Sequence, residues 1–137
     1  NPTQQLVEPA SSSWGNKGYW EVWLDDCNAW IYPHLHAAAR RMSNVAKKFR
    51  STPSAPLEER ALKQMARELL LAQASDWAFL MKTGTAKEYA TQRTRDHLLR
   101  FTRLFEMIDA GRIDEEFVVF CESRDNLFRQ IRWEYFA

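Results

Sequence analysis

Between Asp26 and Phe49 the apolar residues Leu35, Ala38, Ala39, Met42, Val45, Ala46 and Phe49 recur at spacings of three and four. Arg40, Arg41, Lys47 and Lys48 take the remaining faces. This pattern is a single apolar stripe on an α-helix. Pro33 has no amide proton and belongs in the first turn, so the helix is expected to begin near Tyr32 after a turn over 25–31. The run Ser51-Thr52-Pro53-Ser54 ends it. Ser54 is expected to cap a second helix, with Pro56 just inside and Glu58 and Glu59 at its positive end. Leu57, Ala61, Met65, Ala66, Leu69 and Leu70 trace that helix, and it turns apolar nearly all round at 69–72, the mark of a heavily covered element. Residues 75–81 either bend or continue it.

Gly84 punctuates the chain, and Thr85-Ala86-Lys87-Glu88 has the spacing of a capping box. A third helix is expected from there to about Ala110, with Tyr89, Ala90, His97, Phe101, Leu104, Phe105 and Ile108 on its core face and Gly111 as its C-cap. Asp114 is expected to cap a fourth helix that buries Phe117, Val118, Phe120 and Cys121. The alternation over 131–135 reads as a short extended tail. Residues 1–23 carry Pro2, Pro9, three consecutive serines, Gly15 and Gly18, a loop composition. The expected fold is all-α: an antiparallel bundle of four to five helices over 24–128, with an irregular aromatic N-terminal arm over 1–23 and a tail over 129–137.

At 137 residues the chain suits one domain with a real core. Hydrophobic residues make up 45% and charged residues 27%, which excludes wholesale disorder. The net charge of +1 removes the electrostatic case for nucleic-acid binding. No apolar run approaches the length of a membrane span, and Asn1-Pro2-Thr3-Gln4-Gln5 has no signal-peptide core. Only Cys27 and Cys121 occur, so no disulfide framework is expected and a reducing, cytoplasmic compartment is the default. Six tryptophans are the compositional anomaly, and Trp14, Trp20, Trp23 and Trp30 crowd into one short stretch.

Catalytic and cofactor chemistry finds little support. Asp25-Asp26 and Asp114-Glu115-Glu116 read as helix-start residues, not as acid/base pairs. His34 and His36 are two apart and diverge on a helix, whereas metal ligation there needs three or four. His97 falls on an apolar stripe and reads as a buried, hydrogen-bonded histidine. The four glycines are too scattered for a phosphate loop. No metal and no cofactor are expected. The exception is the segment Trp14-Gly15-Asn16-Lys17-Gly18-Tyr19-Trp20-Glu21-Val22-Trp23, in which glycines alternate with large flat rings. Such rings pack on the domain's own bundle, stack on sugar faces or cover a partner domain, and spacing leaves the three open. A second cluster, Gln73-Ala74-Ser75-Asp76-Trp77, puts polar groups directly after a dense apolar run, as at a helix terminus.

Two long motifs carry a resemblance. Ser12-Ser13-Trp14-Gly15 with Gly18-Tyr19, Trp23-Leu24 and Asn28-Ala29-Trp30-Ile31-Tyr32-Pro33-His34-Leu35, together with the run from Leu71 to Thr85, resembles the C-terminal helical domain of glycoside hydrolase family 57, closest to its α-1,4-glucan branching enzymes. Arg124-Asp125-Asn126 and the aromatic tail also fit. The resemblance implies a fragment whose catalytic barrel, with a Glu nucleophile and an Asp acid/base, lies upstream, so no catalytic residue is expected within it. It further implies retention of configuration through two carboxylates roughly 5–5.5 Å apart. In such enzymes the helical domain folds back on the barrel of the same polypeptide and supplies aromatic residues to the α-glucan groove. By motif match Trp14 and Trp23 are the first candidates for substrate binding, then Asp76 and Trp77. Two alternatives stand beside this reading. One is an α-amylase or 4-α-glucanotransferase with the same helical domain; the other is an autonomous interaction module whose Trp14 and Trp23 are sealed in the bundle.

Overall fold

The computed structural model describes residues 7–52 and 54–137. The expectations placed on residues 1–6 and on Pro53 lie outside them. The described residues form five α-helices: α1 (Ile31–Phe49), α2 (Pro56–Ala72), α3 (Ser75–Thr83), α4 (Lys87–Asp109) and α5 (Glu115–Arg124). Short 3₁₀ turns cover Asn16–Gly18 in the arm and Trp133–Phe136 at the tail. No described residue is in a β-strand. The fold is an all-α bundle.

α2 and α4 form the central pair, and both are covered by other helices. α1 buries Ile31, Leu35, Ala38, Met42, Val45 and Ala46, its expected stripe extended by one turn at the front. The main core joins Ala38, Met42, Val45 and Ala46 to Leu62, Met65 and Leu69 of α2, Phe101, Leu104 and Ile108 of α4, Val118 of α5 and Trp133. A smaller apolar cluster of Ile31, Leu35, Ala72, Ala78, Met81 and Ala90 lies at the end of the bundle nearest the arm, with Trp23, Tyr32 and Trp77 packed on it. α2 is buried nearly all round, including the polar Gln64, Arg67 and Glu68.

Several local expectations need correction. α2 begins one residue later than a Ser54 cap requires: Ala55 occupies the N-cap position without a side-chain hydrogen bond, and Pro56 takes the first helical position. The capping box is out of register. Gly84 closes α3 in the left-handed conformation, with φ +77° and its N–H donating to Leu80. α4 then starts at Lys87 behind Ala86, so Thr85 lies outside the cap and Glu88 falls at the second position, not the third. Asp114 does cap α5, accepting from the Phe117 N–H. The chain breaks at Gln73–Ala74, so 75–83 is a separate helix and not an extension of α2. Ser75 and Asp76 occupy its first turn, and the N-cap position is Ala74, again without a side-chain bond.

Tyr89 is 57% exposed instead of core: Ala90 takes the buried position of that turn, and the Tyr89 ring meets Trp77 edge-on. Phe120 is exposed, flanked by the guanidinium groups of Arg100 and Arg124. The tail is not extended. It coils into a 3₁₀ turn that seats Trp133 in the main core, where its indole N–H donates to Glu59 Oε2 at 2.8 Å.

The aromatic arm and the buried polar network

The arm is held by side chains that bridge it to the bundle. Trp20 accepts backbone bonds from Trp23 and Leu24, and Asp25 accepts them from Asn28 and Ala29, so the chain turns twice before α1. Gly15 adopts φ +118°, and a β-carbon there would stand 2.7 Å from Val22 Cγ2. Only glycine permits both that backbone and that approach. The Trp23 indole N–H donates to Ser13 Oγ at 2.9 Å and to the Trp14 carbonyl at 3.2 Å. The Tyr32 hydroxyl donates to the Trp23 carbonyl, and burial raises its pKa. Lys82 Nζ lies 2.6 Å from Asp25 Oδ2, tying the turn to α3. The same bond holds the Asp25 carboxyl below, and the Lys82 ammonium above, their ordinary values.

The outcome is a cluster of three rings. Trp14, Trp23 and Phe79 lie with mutual centroid distances of 6.0–6.2 Å and tilts of 37–41°. Trp14 is 73% exposed, Trp23 is half-buried beneath it, and Tyr19, Trp20 and Leu24 extend the exposed apolar surface. Phe79, within the Leu71–Thr85 run, is the member that the sequence pattern does not single out. A cavity of about 230 Å³ opens beside Trp23, lined by Ile31, Tyr32, Leu35, Gln73, Ala74, Ser75 and Ala78, none of them charged. The two sequence motifs, some fifty positions apart, therefore meet at one place.

Asp76 and Trp77 are placed differently. Asp76 is exposed in the first turn of α3. Trp77 and Phe79 are two apart on one helix and so project to different sides. Phe79 meets the arm, whereas Trp77 turns to α4, stacking on His97 at 6.3 Å with the Arg93 guanidinium 6.0 Å from its ring centroid. The Trp77 indole N–H donates to the Leu71 carbonyl at 2.6 Å, at the point where α2 ends.

Beneath Trp77 lies a polar network absent from the sequence-based candidates. Glu68 Oε2 is 2.7 Å from His97 Nδ1, and Arg93 contacts His97 Nε2 at 3.1 Å. Arginine can only donate, so Nε2 accepts and Nδ1 carries the proton toward Glu68. Burial raises the Glu68 pKa, offset in part by bonds from His97 and Gln64. Arg100 pairs with Asp125 at 2.8 Å, and Arg67, its pKa lowered by burial, donates to the Leu127 carbonyl. Glu68, His97 and Asp125 bring one ligand-type atom each within 4.8 Å of one another. Arg93 and Arg100 both pair with Asp125, and Glu68 is bonded by His97 and Gln64, so the three belong to a hydrogen-bonded network. The expected reading of His97 as a buried, bonded histidine is what the structure shows. His34 and His36 are exposed and lie instead against Trp30 and Tyr32. No described helix is long and apolar enough to cross a membrane.

A family model described as "1,4-alpha-glucan branching enzyme, C-terminal" matches residues 34–136. The chain belongs to that family. This branching-enzyme domain is 36% identical over 129 residues to the 1,4-alpha-glucan branching enzyme of Thermococcus kodakarensis, a match covering 91% of the chain and 19% of that protein. It is 30% identical over 112 residues to a probable 1,4-alpha-glucan branching enzyme of Mycobacterium tuberculosis, covering 79% of the chain and 21% of that protein. Among solved structures, the GH57-type branching enzyme of Pyrococcus horikoshii superposes on 100% of the chain and 26% of its own with a TM-score of 0.89 and 38% identity. The α-amylase of Thermotoga maritima superposes on 98% and 24%, with a TM-score of 0.78 and 43% identity. The chain thus spans about a fifth to a quarter of the length of these relatives.

Proposed function

We propose that residues 1–137 are the non-catalytic C-terminal domain of a 1,4-α-glucan branching enzyme, and that the domain completes the glucan groove beside a catalytic barrel in the same polypeptide. The observation that supports this is the three-ring cluster: Trp14 is held outward by Trp23, Ser13 and Phe79 instead of being sealed in the bundle. A flat, exposed indole with an uncharged cavity beside its neighbour suits the C–H face of a glucose ring. The work assigned to the rings follows from the chemistry. A retaining enzyme forms a glycosyl intermediate that water can attack. Making an α-1,6 branch instead needs the 6-hydroxyl of an acceptor glucan held close and water excluded. Trp14 takes the sugar contact, Trp23 braces it, and Asp76 borders the groove from α3, whereas Trp77 turns away from it to α4. The two unpaired cysteines fit a reducing, cytoplasmic setting.

A second reading keeps the architecture and changes the acceptor. The 43% identity to an α-amylase favours hydrolysis, or transfer to a 4-hydroxyl as in a 4-α-glucanotransferase. The exposure of Trp14 argues against the third reading, an autonomous module with its arm tryptophans buried.

The deciding experiment assays the complete polypeptide on amylose by iodine staining and branch counting, wild type against Trp14→Ala. Wild-type branching that falls strongly in a folded Trp14→Ala protein supports the reading. Unchanged branching removes Trp14, and release of reducing ends without branches selects the amylase reading. The 137-residue chain by itself is expected to turn over no amylose.

A further inference from the structure

Asn28 is fully buried, and both polar atoms of its side chain are hydrogen-bonded, one of them to a different helix. Its Oδ1 accepts from the Asp25 N–H at 2.8 Å, which closes the turn before α1. Its Nδ2 donates to the Val22 carbonyl at 3.1 Å and to the Ala78 carbonyl at 3.2 Å. Val22 precedes Trp23 and is also the residue whose side chain presses on Gly15, next to Trp14. Ala78 precedes Phe79, the third ring. One carboxamide therefore clamps the backbone that carries Trp23 to the helix that carries Phe79.

The other ties are of a different kind. Tyr32 fixes Trp23 to α1, not to α3. The Lys82–Asp25 pair does reach α3, but both side chains are about one-third exposed, where an ion pair contributes little in water. A buried amide with two donated bonds is harder to replace, because breaking it leaves the buried Ala78 carbonyl and the part-buried Val22 carbonyl without that donor.

On the reading that the three rings serve glucan transfer, we infer that Asn28 is a positioning residue for that reaction. It sets the Trp14–Trp23–Phe79 surface against α3 and so governs how often a glucan acceptor, in place of water, resolves the glycosyl intermediate. Asn28 touches no substrate in this scheme; it acts through the backbone on either side of the rings. The expected signature is a change in partition between transfer and hydrolysis, which a purely structural residue does not produce. A structural residue lowers the amount of active protein and reduces both products together.

The test uses the complete polypeptide with its catalytic region, on amylose, counting branches formed and reducing ends released in the same reaction. Asn28→Asp keeps the acceptor for Asp25 and loses both donated bonds, and Asn28→Ala loses all three. Circular dichroism melting reports whether each variant is folded. The expected result is branches per bond cleaved falling about tenfold in the folded variants, in line with the rate cost of small misplacements, with reducing-end release retained. Branching and hydrolysis falling in the same proportion overturns the inference, as does loss of fold in both variants, which would make Asn28 a stability residue. A wild-type protein that hydrolyses without branching overturns the transfer reading itself, and this inference with it. A branching wild type whose Asn28 variants keep the wild-type ratio overturns the inference alone.

Discussion

His97 Nδ1 and Glu68 Oε2 lie 2.7 Å apart with both side chains fully buried, joining α4 to α2 between the two apolar clusters. Around them Gln64 donates to Glu68, Arg93 donates to His97 and Arg100 donates to Asp125, while the buried Arg93 Nε has no partner and Trp77 closes the top. A network of this kind contributes modestly when whole and costs heavily when one member is lost, because its partner stays buried without compensation. His97→Ala is therefore expected to destabilise the domain by about 3–5 kcal/mol, read by urea denaturation. Glu68→Gln removes the charge whose burial raises the Glu68 pKa and keeps an oxygen for the His97 N–H, so it is expected to cost clearly less than Glu68→Ala. Equal losses for Gln and Ala would show that the bond to His97 does not matter.

Trp14 and Trp133 make a matched pair. Trp14 is 73% exposed, whereas Trp133 is 4% exposed and donates to Glu59. Trp133→Ala opens a core cavity and is expected to cost about 3–5 kcal/mol. Trp14→Ala is expected to change stability by less than about 1 kcal/mol, within the range of surface substitutions. Denaturant midpoints of the two variants check both. A large loss for Trp14→Ala would mean that its ring holds the arm instead of serving a ligand.

Gly15→Ala meets two obstacles at once, the φ of +118° and a β-carbon 2.7 Å from Val22. The arm must shift, since Val22 is held by Asn28. The main core contains no residue of this loop, so helical circular dichroism is expected to persist while the tryptophan emission to which the arm rings contribute changes. Unaltered emission would show that the turn tolerates the extra carbon.

Burial pushes the Cys121 thiol up from 9.0 to about 12. The folded state thus holds the proton more tightly than the unfolded one. The resulting stability is complete below about pH 9 and is lost as pH rises toward 12. Tyrosines and lysines titrate in the same window, so the check compares the slope of stability against pH for wild type and Cys121→Val. The variant is expected to show the shallower slope. Identical slopes would place the thiol in contact with water.

The helices were legible because a 3.6-residue period is a local property: the stripes of α1 and α4 can be counted along the chain. The caps were less so. Ser54, Thr85 and Glu88 are good capping residues, each one position out of register with where the backbone starts to coil. The glycine-and-ring segment announced a candidate surface and supplied Trp14 and Trp23. Phe79 is an ordinary apolar residue in a helix, and nothing in its neighbours marks it as the third ring.

Family membership, the helical class and the aromatic character of the arm follow from the order of residues alone, since each rests on short-range pattern or motif. Tertiary structure alone decided that Asn28, Glu68 and Asp125 become buried, that Glu68 is the partner of the expected buried His97, and that Trp77 and Phe79 serve different faces of α3. The bonds that settle this join residues 25 to 50 positions apart. A polar side chain becomes a clamp or a buried ion partner only when a distant segment supplies its counterpart and excludes water, and no local periodicity records that meeting.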